Sequence, residues 1–155
     1  INPHMLSVGK SRAEKRGIAD LAWAEENAET LSFQDQMFDA YTIAYGIRNV
    51  TDIPAALREA YRVLKYVGRF YCLEFSRAEW PIFGAAYEKM SMALWPRVGG
   101  MVAGDQEPYQ YLVESIQRFP PMEEFAAMMR DAGFARVAVT PFLGGVSAIH
   151  CGWKA

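Results

Sequence analysis

Asp39-Ala40-Tyr41-Thr42-Ile43-Ala44-Tyr45-Gly46 is the stretch from which the architecture follows. A run of β-branched and aromatic residues ends at a glycine, the pattern of a buried strand. Downstream, Ile53, Ala56, Leu57, Ala60, Tyr61 and Leu64 recur at helical spacing. They predict a helix over Ile53–Lys65, with Thr51 or Asp52 as its cap. Arg69-Phe70-Tyr71-Cys72-Leu73-Glu74-Phe75 then reads as a second strand. Strand, helix and strand within so short a stretch form a βαβ crossover, which makes the two strands parallel neighbours.

Upstream, Pro3–Arg16 reads as a helix, with Asn2 as its cap and Pro3 at the first position, where the missing N–H costs nothing. Lys10, Arg12, Lys15 and Arg16 suit its C-terminal end, and Gly17 stops it. Leu21–Glu25 is a short strand candidate. Further along, Trp80–Gly104 is aromatic and Met-rich, broken by Pro96 and Gly99-Gly100. Tyr109, Leu112, Val113 and Ile116 mark one face of a short helix, and Pro121–Ala132 is a second, with Glu123 and Glu124 in its first turn and Gly133 after its end. Arg136–Phe142 and Val146–Trp153 are strands joined by Leu143-Gly144-Gly145, a link short enough to make them an antiparallel pair. The expected fold class is α/β, a mostly parallel sheet finished by one C-terminal antiparallel strand.

At 155 residues, 52% of them hydrophobic and 22% charged, the chain has the apolar content of a packed domain and not of a disordered or collagen-like one. Sixteen basic against eighteen acidic side chains, net −2, give no electrostatic case for nucleic acid as main partner. No apolar run reaches the roughly 20 residues of a spanning helix, and no signal-peptide pattern is visible. Two cysteines, Cys72 and Cys151, make no disulfide framework and suggest a reducing intracellular compartment. The opening Ile1-Asn2-Pro3, without Met, hints at a longer parent chain.

Several blocks carry a family resemblance: Ile1-Asn2-Pro3-His4-Met5-Leu6, Asn27-Ala28-Glu29-Thr30-Leu31-Ser32-Phe33, Phe38 through Val50 with its Gly46-Ile47-Arg48-Asn49-Val50 end, Arg62-Val63-Leu64-Lys65, Leu73-Glu74-Phe75-Ser76, Tyr109-Gln110-Tyr111-Leu112-Val113-Glu114-Ser115-Ile116, and Ala148 through Lys154. In this order, and almost end to end, the chain resembles the ubiquinone/menaquinone-biosynthesis C-methyltransferases. That resemblance implies a Rossmann-like class I methyltransferase fold and S-adenosylmethionine (SAM) as cofactor. It also implies that the family's first strand and Gly-rich loop precede Ile1, so that the 155 residues are expected to be a single partial domain. The unit at 80–118 would be a substrate-side cap. With its inner neighbours absent, Leu21–Glu25 would lack a partner and the strand at Asp39–Tyr45 would become an exposed edge. The family's Lys-Pro-Gly-Gly turn is Lys65-Tyr66-Val67-Gly68 here, so the turn must be rebuilt, with the register of the next strand at stake.

The resemblance also assigns candidate residues. Asn27 and Ala28 would lie beside the adenine and Ala44 near the sulfonium. Gly46-Ile47-Arg48-Asn49 sits past a strand's carboxyl end, where ligands bind in open α/β sheets. Carbon methylation of a quinol needs electron density in the ring, so Arg48 near the phenolate oxygen is a candidate catalytic residue. The bland alternative is a structural arginine paired with Glu74. Glu74 could hold a water that accepts the phenolic proton, or simply neutralise Arg48. Gly46 allows close backbone approach, and Asn49 binds substrate or caps the next turn, with capping preferred. Tyr109 and Tyr111, two apart, point in different directions, one towards substrate and the other towards the core. Trp80, Phe83, Tyr87, Met90, Met92, Leu94, Trp95 and Met101 offer either a polyprenyl tunnel or membrane-facing lid, or ordinary packing. His4 and His150 are isolated, so no metal is expected. No Gly-x-Ser-x-Gly or Walker motif is present.

The function expected is SAM-dependent C-methylation of a polyprenyl benzoquinol or naphthoquinol. Alternatives are a non-catalytic scaffold subunit of a quinone-biosynthesis complex, another small-molecule methyltransferase of this fold and, more distantly, a nicotinamide dehydrogenase. Expected partners are the quinol, with peripheral membrane contact and a homodimer or quinone-biosynthesis complex left open. The expected location is cytoplasmic or membrane-associated, on the mitochondrial matrix side if eukaryotic.

Overall fold

The computed structural model describes residues 3–76 and 107–155. One sheet holds β1 (Phe38–Ala44), β2 (Leu64–Phe75), β3 (Ala135–Phe142) and β4 (Ser147–Trp153), in the order β1-β2-β4-β3. The helices are α1 (Pro3–Lys15), α2 (Ile53–Val63), α3 (Glu107–Arg118) and α4 (Met122–Asp131). The βαβ crossover is present: β1 and β2 pair in parallel from Ala40↔Arg69 to Ala44↔Leu73. The sheet is mixed, not mostly parallel by pairing, because β4 inserts between β2 and β3 and pairs antiparallel with both. The short link Leu143–Gly145 forces β4 beside β3, and β2 offers the free edge that β4 fills.

Helix signals match the structure closely. Asp52 Oδ1 accepts from Ala55 N at 2.9 Å, capping α2, with Pro54 in the first turn. This helix ends at Val63, two residues before the expected end at Lys65, because Leu64 is already extended and begins β2. At the end of α1, Gly17 takes φ +67 and Ile18 N returns to Ala13 O at 3.0 Å. Its cap Asn2 lies outside the described residues, as do the apolar positions Trp80 to Met101 and most of the expected cap segment.

Among the described residues Leu21–Glu25 lacks a partner, β1 lies at the sheet edge and the Lys65–Gly68 turn is rebuilt, as the resemblance implies, which corrects the plainer readings of Leu21–Glu25 as a strand and of Asp39–Tyr45 as buried. Leu21–Glu25 is not a strand; no described strand pairs with it, and without ladder partners it stays outside the sheet. The segment Asp39–Tyr45 does form a strand, but not a buried one. Only β2 adjoins it among the described strands, so Tyr41 and Ile43 reach the core while Ala40, Thr42 and Ala44 stand exposed. The turn at Lys65–Gly68 is rebuilt as a bulge within β2. Here the pairing jumps from Phe38↔Leu64 to Ala40↔Arg69. Val67 sits at φ +59, its N–H donating to Lys154 O at 2.8 Å, and Lys154 N donates to Gly68 O at 3.0 Å. A side chain at Gly68 would stand 2.7 Å from Lys65 O. With the excess chain absorbed this way, the register beyond Arg69 is regular.

The core lies on one side of the sheet, under α2 and α4. Phe70 and Cys72 of β2 meet Leu57, Ala60, Phe125, Met129 and Phe134 there. Phe70 stacks on Phe134 at 5.2 Å. Each large side chain removed from water contributes about 1.5–3 kcal/mol, enough to hold α2, and so the loop before it, against β2. Cys72 is fully buried, and desolvation followed by the nearby Glu74 charge pushes its thiol pKa up; Cys151 is half-buried. Among the described residues no helix is long and apolar enough to cross a membrane.

Candidate active site

The site forms where β1 leaves the sheet. Tyr45 takes φ +52, a conformation that non-glycine residues avoid, and its N–H still reaches Leu73 O at 2.8 Å. This sharp exit turns the chain into a single 3₁₀ turn, Ile47–Asn49, anchored by the buried Ile47. Gly46 sits at φ −124, open to any residue; what favours glycine there is the Ile43 side chain, 3.3 Å from where a Cβ would stand.

Arg48 is held on three sides. Its Nη1 donates to Glu74 Oε1 at 2.8 Å and to Tyr45 O at 2.7 Å, and its Nε donates to Ser115 Oγ at 3.2 Å. Its guanidinium carbon lies 5.5 Å from the centre of the Phe75 ring, which packs on Tyr45. The ion pair is secluded, with side-chain exposures of 10% for Arg48 and 1% for Glu74. Glu74 Oε1 also accepts from Phe75 N at 2.8 Å. The pairing of Arg48 with Glu74, the bland alternative in the sequence, is therefore real geometry. It leaves Nη2 of Arg48 without an acceptor among the described residues.

Asn49 does not cap the next helix. Asp52 does that, and Glu29 Oε1 accepts from Thr51 N at 2.6 Å and Asp52 N at 3.1 Å. The Asn49 side chain instead accepts from Tyr111 OH at 3.0 Å. Tyr111 and Ser115, one helical turn apart on α3, thus meet consecutive residues of the turn. Of Tyr109 only its place in α3 is described. Between the turn and α3 lies a cleft of about 330 Å³, lined by Arg48, Asn49, Thr51, Ile53, Tyr111, Arg118 and Phe119 among others.

Of the candidate cofactor residues, Asn27 is linked through Glu29 to Thr51 at the cleft. Asn27 Oδ1 accepts from Glu29 N at 3.1 Å, a local turn that follows no strand, while the Glu29 carboxylate binds the start of α2. The following residues are clamped on α2. Glu59 Oε2 accepts from Leu31 N at 2.7 Å, and Arg62 donates to Leu31 O and Phe33 O at 3.0 and 2.8 Å. Ala28 is half-buried and Ala44 exposed, so the methyl side chains leave room beside the backbone. The Asn27 oxygen accepts one hydrogen bond, and its side-chain amide N–H groups donate to no acceptor among the described residues. Small side chains, free amide donors and open backbone suit a neutral aromatic face such as adenine.

Sequence reasoning singled out Arg48, Glu74, Asn49 and Tyr111, which the fold brings together. It passed over Ser115, Glu29, Thr51 and Arg118. Ser115 was legible as the residue four beyond Tyr111; nothing local ties Glu29 to Thr51, 22 residues on.

Comparison with known proteins fits this geometry. The chain is 55% identical over 154 residues to the ubiquinone/menaquinone biosynthesis C-methyltransferase UbiE of Zymomonas mobilis, covering 99% of this chain and 64% of that one. It is 56% identical over 157 residues to the mitochondrial 2-methoxy-6-polyprenyl-1,4-benzoquinol methylase of Arabidopsis thaliana, covering 99% and 54%. The chain therefore spans little more than half to under two thirds of these relatives' lengths. Among solved structures, a SAM-dependent methyltransferase of Thermotoga maritima, described as a possible histamine N-methyltransferase, superposes with TM-score 0.63 at 25% identity, over 94% of this chain and 68% of that one. A Bacillus halodurans protein described as a putative methyltransferase gives 0.68 at 16% identity, over 99% and 80%, a likeness of fold alone. The fold is the class I SAM methyltransferase fold. Residues 1–154 match the ubiE/COQ5 methyltransferase family, and the chain belongs to it.

Proposed function

We propose that this chain carries the acceptor side of a SAM-dependent C-methyltransferase that acts on a polyprenyl benzoquinol or naphthoquinol ring. The observation that carries the reading is the convergence of Arg48, Asn49 and Tyr111 on one cleft beyond the carboxyl end of β1. The names of the Zymomonas and Arabidopsis relatives supply the substrate class.

When bound, SAM supplies an electrophilic methyl group on a sulfonium. Asn27, Ala28 and Ala44 are the residues that would hold it, through amide donors, backbone and space. The chain's own residues do the rest. Arg48 offers Nη2 to the phenolic oxygen of the ring and stabilises the phenolate formed as the phenolic proton passes to solvent water; after methyl transfer the ring carbon gives up its own proton to water in turn. Glu74 and Tyr45 O hold Nη1 of the guanidinium, so that its position is set before the reaction. Glu74 acts through Arg48 and is a positioning residue. Because Tyr111 OH donates to Asn49 Oδ1, the Asn49 amide N–H groups are left to donate to a ring oxygen. Phe119 and Ile53 supply apolar wall that displaces water from the ring.

The test measures methyl transfer from labelled SAM to a short-tailed 2-methoxy-6-polyprenyl-1,4-benzoquinol, with a naphthoquinol in parallel. It uses the 155-residue chain and the same chain joined to the part of the Zymomonas relative that it does not match. We expect transfer in at least the joined form. There, Arg48→Ala lowers the single-turnover rate about 100-fold or more while SAM affinity changes by less than about threefold. No transfer by either form rejects the function; equal single-turnover rates reject the role of Arg48.

A further inference from the structure

We propose that Ser115 is a positioning residue for Arg48, fixing the plane of the guanidinium so that Nη2 is the edge presented to the acceptor ring. The inference rests on the reading of the cleft given above and extends it to a residue on another element. Ser115 belongs to α3, and its residue is 5% exposed. Its hydroxyl has one hydrogen, and that hydrogen is donated to Leu112 O at 2.9 Å, one turn back in the same helix. What remains on Oγ is acceptor capacity alone, and Arg48 Nε meets it at 3.2 Å.

The polarity is thus set by the helix and matches a cation. The N–H bonds of a guanidinium lie in its plane, so three separate acceptors around it determine that plane. Glu74 and Tyr45 O hold Nη1, and Ser115 holds Nε at the other end of the group. Without the third contact the group can pivot about the Glu74 bond, and Nη2 sweeps away from a fixed position. The burial pattern of α3 supports the assignment. Its apolar residues Leu112, Val113 and Ile116 are half-buried, whereas the polar Ser115 is more buried than any of them. A buried hydroxyl in place of an apolar side chain is a choice that core packing does not explain. Tyr111, one turn earlier on α3, donates its hydroxyl to Asn49 Oδ1, so the same helix contacts both polar residues of the turn, as donor to one and acceptor from the other.

The test compares Ser115→Ala with Ser115→Thr. Alanine favours helix more than serine does, so α3 itself is not weakened; threonine keeps the hydroxyl. On the 155-residue chain, the Nε–H signal of Arg48 is followed by ¹⁵N NMR, assigned with Arg48→Lys. We expect it to exchange slowly with water in the parent and in Ser115→Thr, and to lose that protection in Ser115→Ala. In the form that transfers methyl groups, Ser115→Ala should lower kcat by about 10- to 100-fold, as for loss of a hydrogen bond to a charged group. Half-saturation by SAM should stay within about twofold, and Ser115→Thr should recover most of the rate. Unchanged Nε–H protection in Ser115→Ala overturns the assignment, as does an unchanged kcat in a folded, active variant. If the parent transfers no methyl group, the proposed function fails, and the NMR comparison alone decides whether Ser115 holds Arg48.

Discussion

Replacing Glu74 and Arg48 singly and together tests whether the ion pair at the end of β2 is coupled as its geometry requires. Glu74 is 1% exposed and takes both Arg48 Nη1 and Phe75 N at 2.8 Å. Glu74→Leu removes the carboxylate and leaves a guanidinium only 10% exposed without its counter-charge. Breaking a buried pair in this way costs about 3–5 kcal/mol, and Arg48→Met should cost a similar amount by stranding the carboxylate. The double variant buries no charge, so its cost should be that of one single variant or less. The resulting coupling energy is at least about 2 kcal/mol. The assay is urea unfolding followed by tryptophan fluorescence at pH 7, with equal m values required across the set. A single variant too unstable to fold still leaves a readable outcome, since the double variant should fold where the single does not. Costs that add within about 0.5 kcal/mol would show that the two charges are solvated independently, and the account of a secluded pair would be wrong.

Val67→Gly should stabilise the chain by about 1 kcal/mol, because Val67 is held at φ +59 with its side chain 74% exposed, so relief of backbone strain outweighs the little packing lost; a lower urea midpoint would contradict this. Burial lowers the pKa of the His150 imidazole from its ordinary 6.5, against an opposing hydrogen bond to Met122 O. As pH falls the unfolded chain therefore binds the proton first, so stability present above about pH 6.5 is lost progressively towards the lower folded value. His150→Gln should flatten the dependence of unfolding free energy on pH between about 6.5 and 5.5, above the range where carboxylates titrate; equal slopes in the two proteins would exclude His150 as the source.

The local signals in the sequence proved sufficient wherever short-range chemistry decides the outcome. Pro3, Gly17, Asp52 and the apolar spacing of Ile53–Leu64 place helices because capping and amphipathicity act within a turn or two. The parallel β1–β2 pair follows from the same reasoning, since a helix between two strands leaves little choice of connection. What the sequence hides is set across the sheet. Nothing near Ser147–Trp153 announces that it lies between β2 and β3, because pairing order depends on which edge is free once the other strands have docked. Leu21–Glu25 has strand-like composition but no ladder partner among the described residues, and composition alone does not supply one. In the site, Arg48 and Glu74 stand out through charge beside strand ends. Glu29 does not, since a carboxylate that accepts from backbone N–H groups 22 and 23 residues away leaves no pattern in the chain.

The placement of β4 has a consequence for biosynthesis. Latest of the four in the sequence, it is also the only bridge between β2 and β3 among the described strands, pairing Arg69–Phe75 on one side and Ala135–Phe142 on the other. While a ribosome is still translating the residues before Ser147, the parallel pair and the third strand are two separate pieces with unsatisfied edges. These four strands therefore join only after this segment has cleared the exit tunnel, so the edges of the earlier strands must be shielded from neighbours until then.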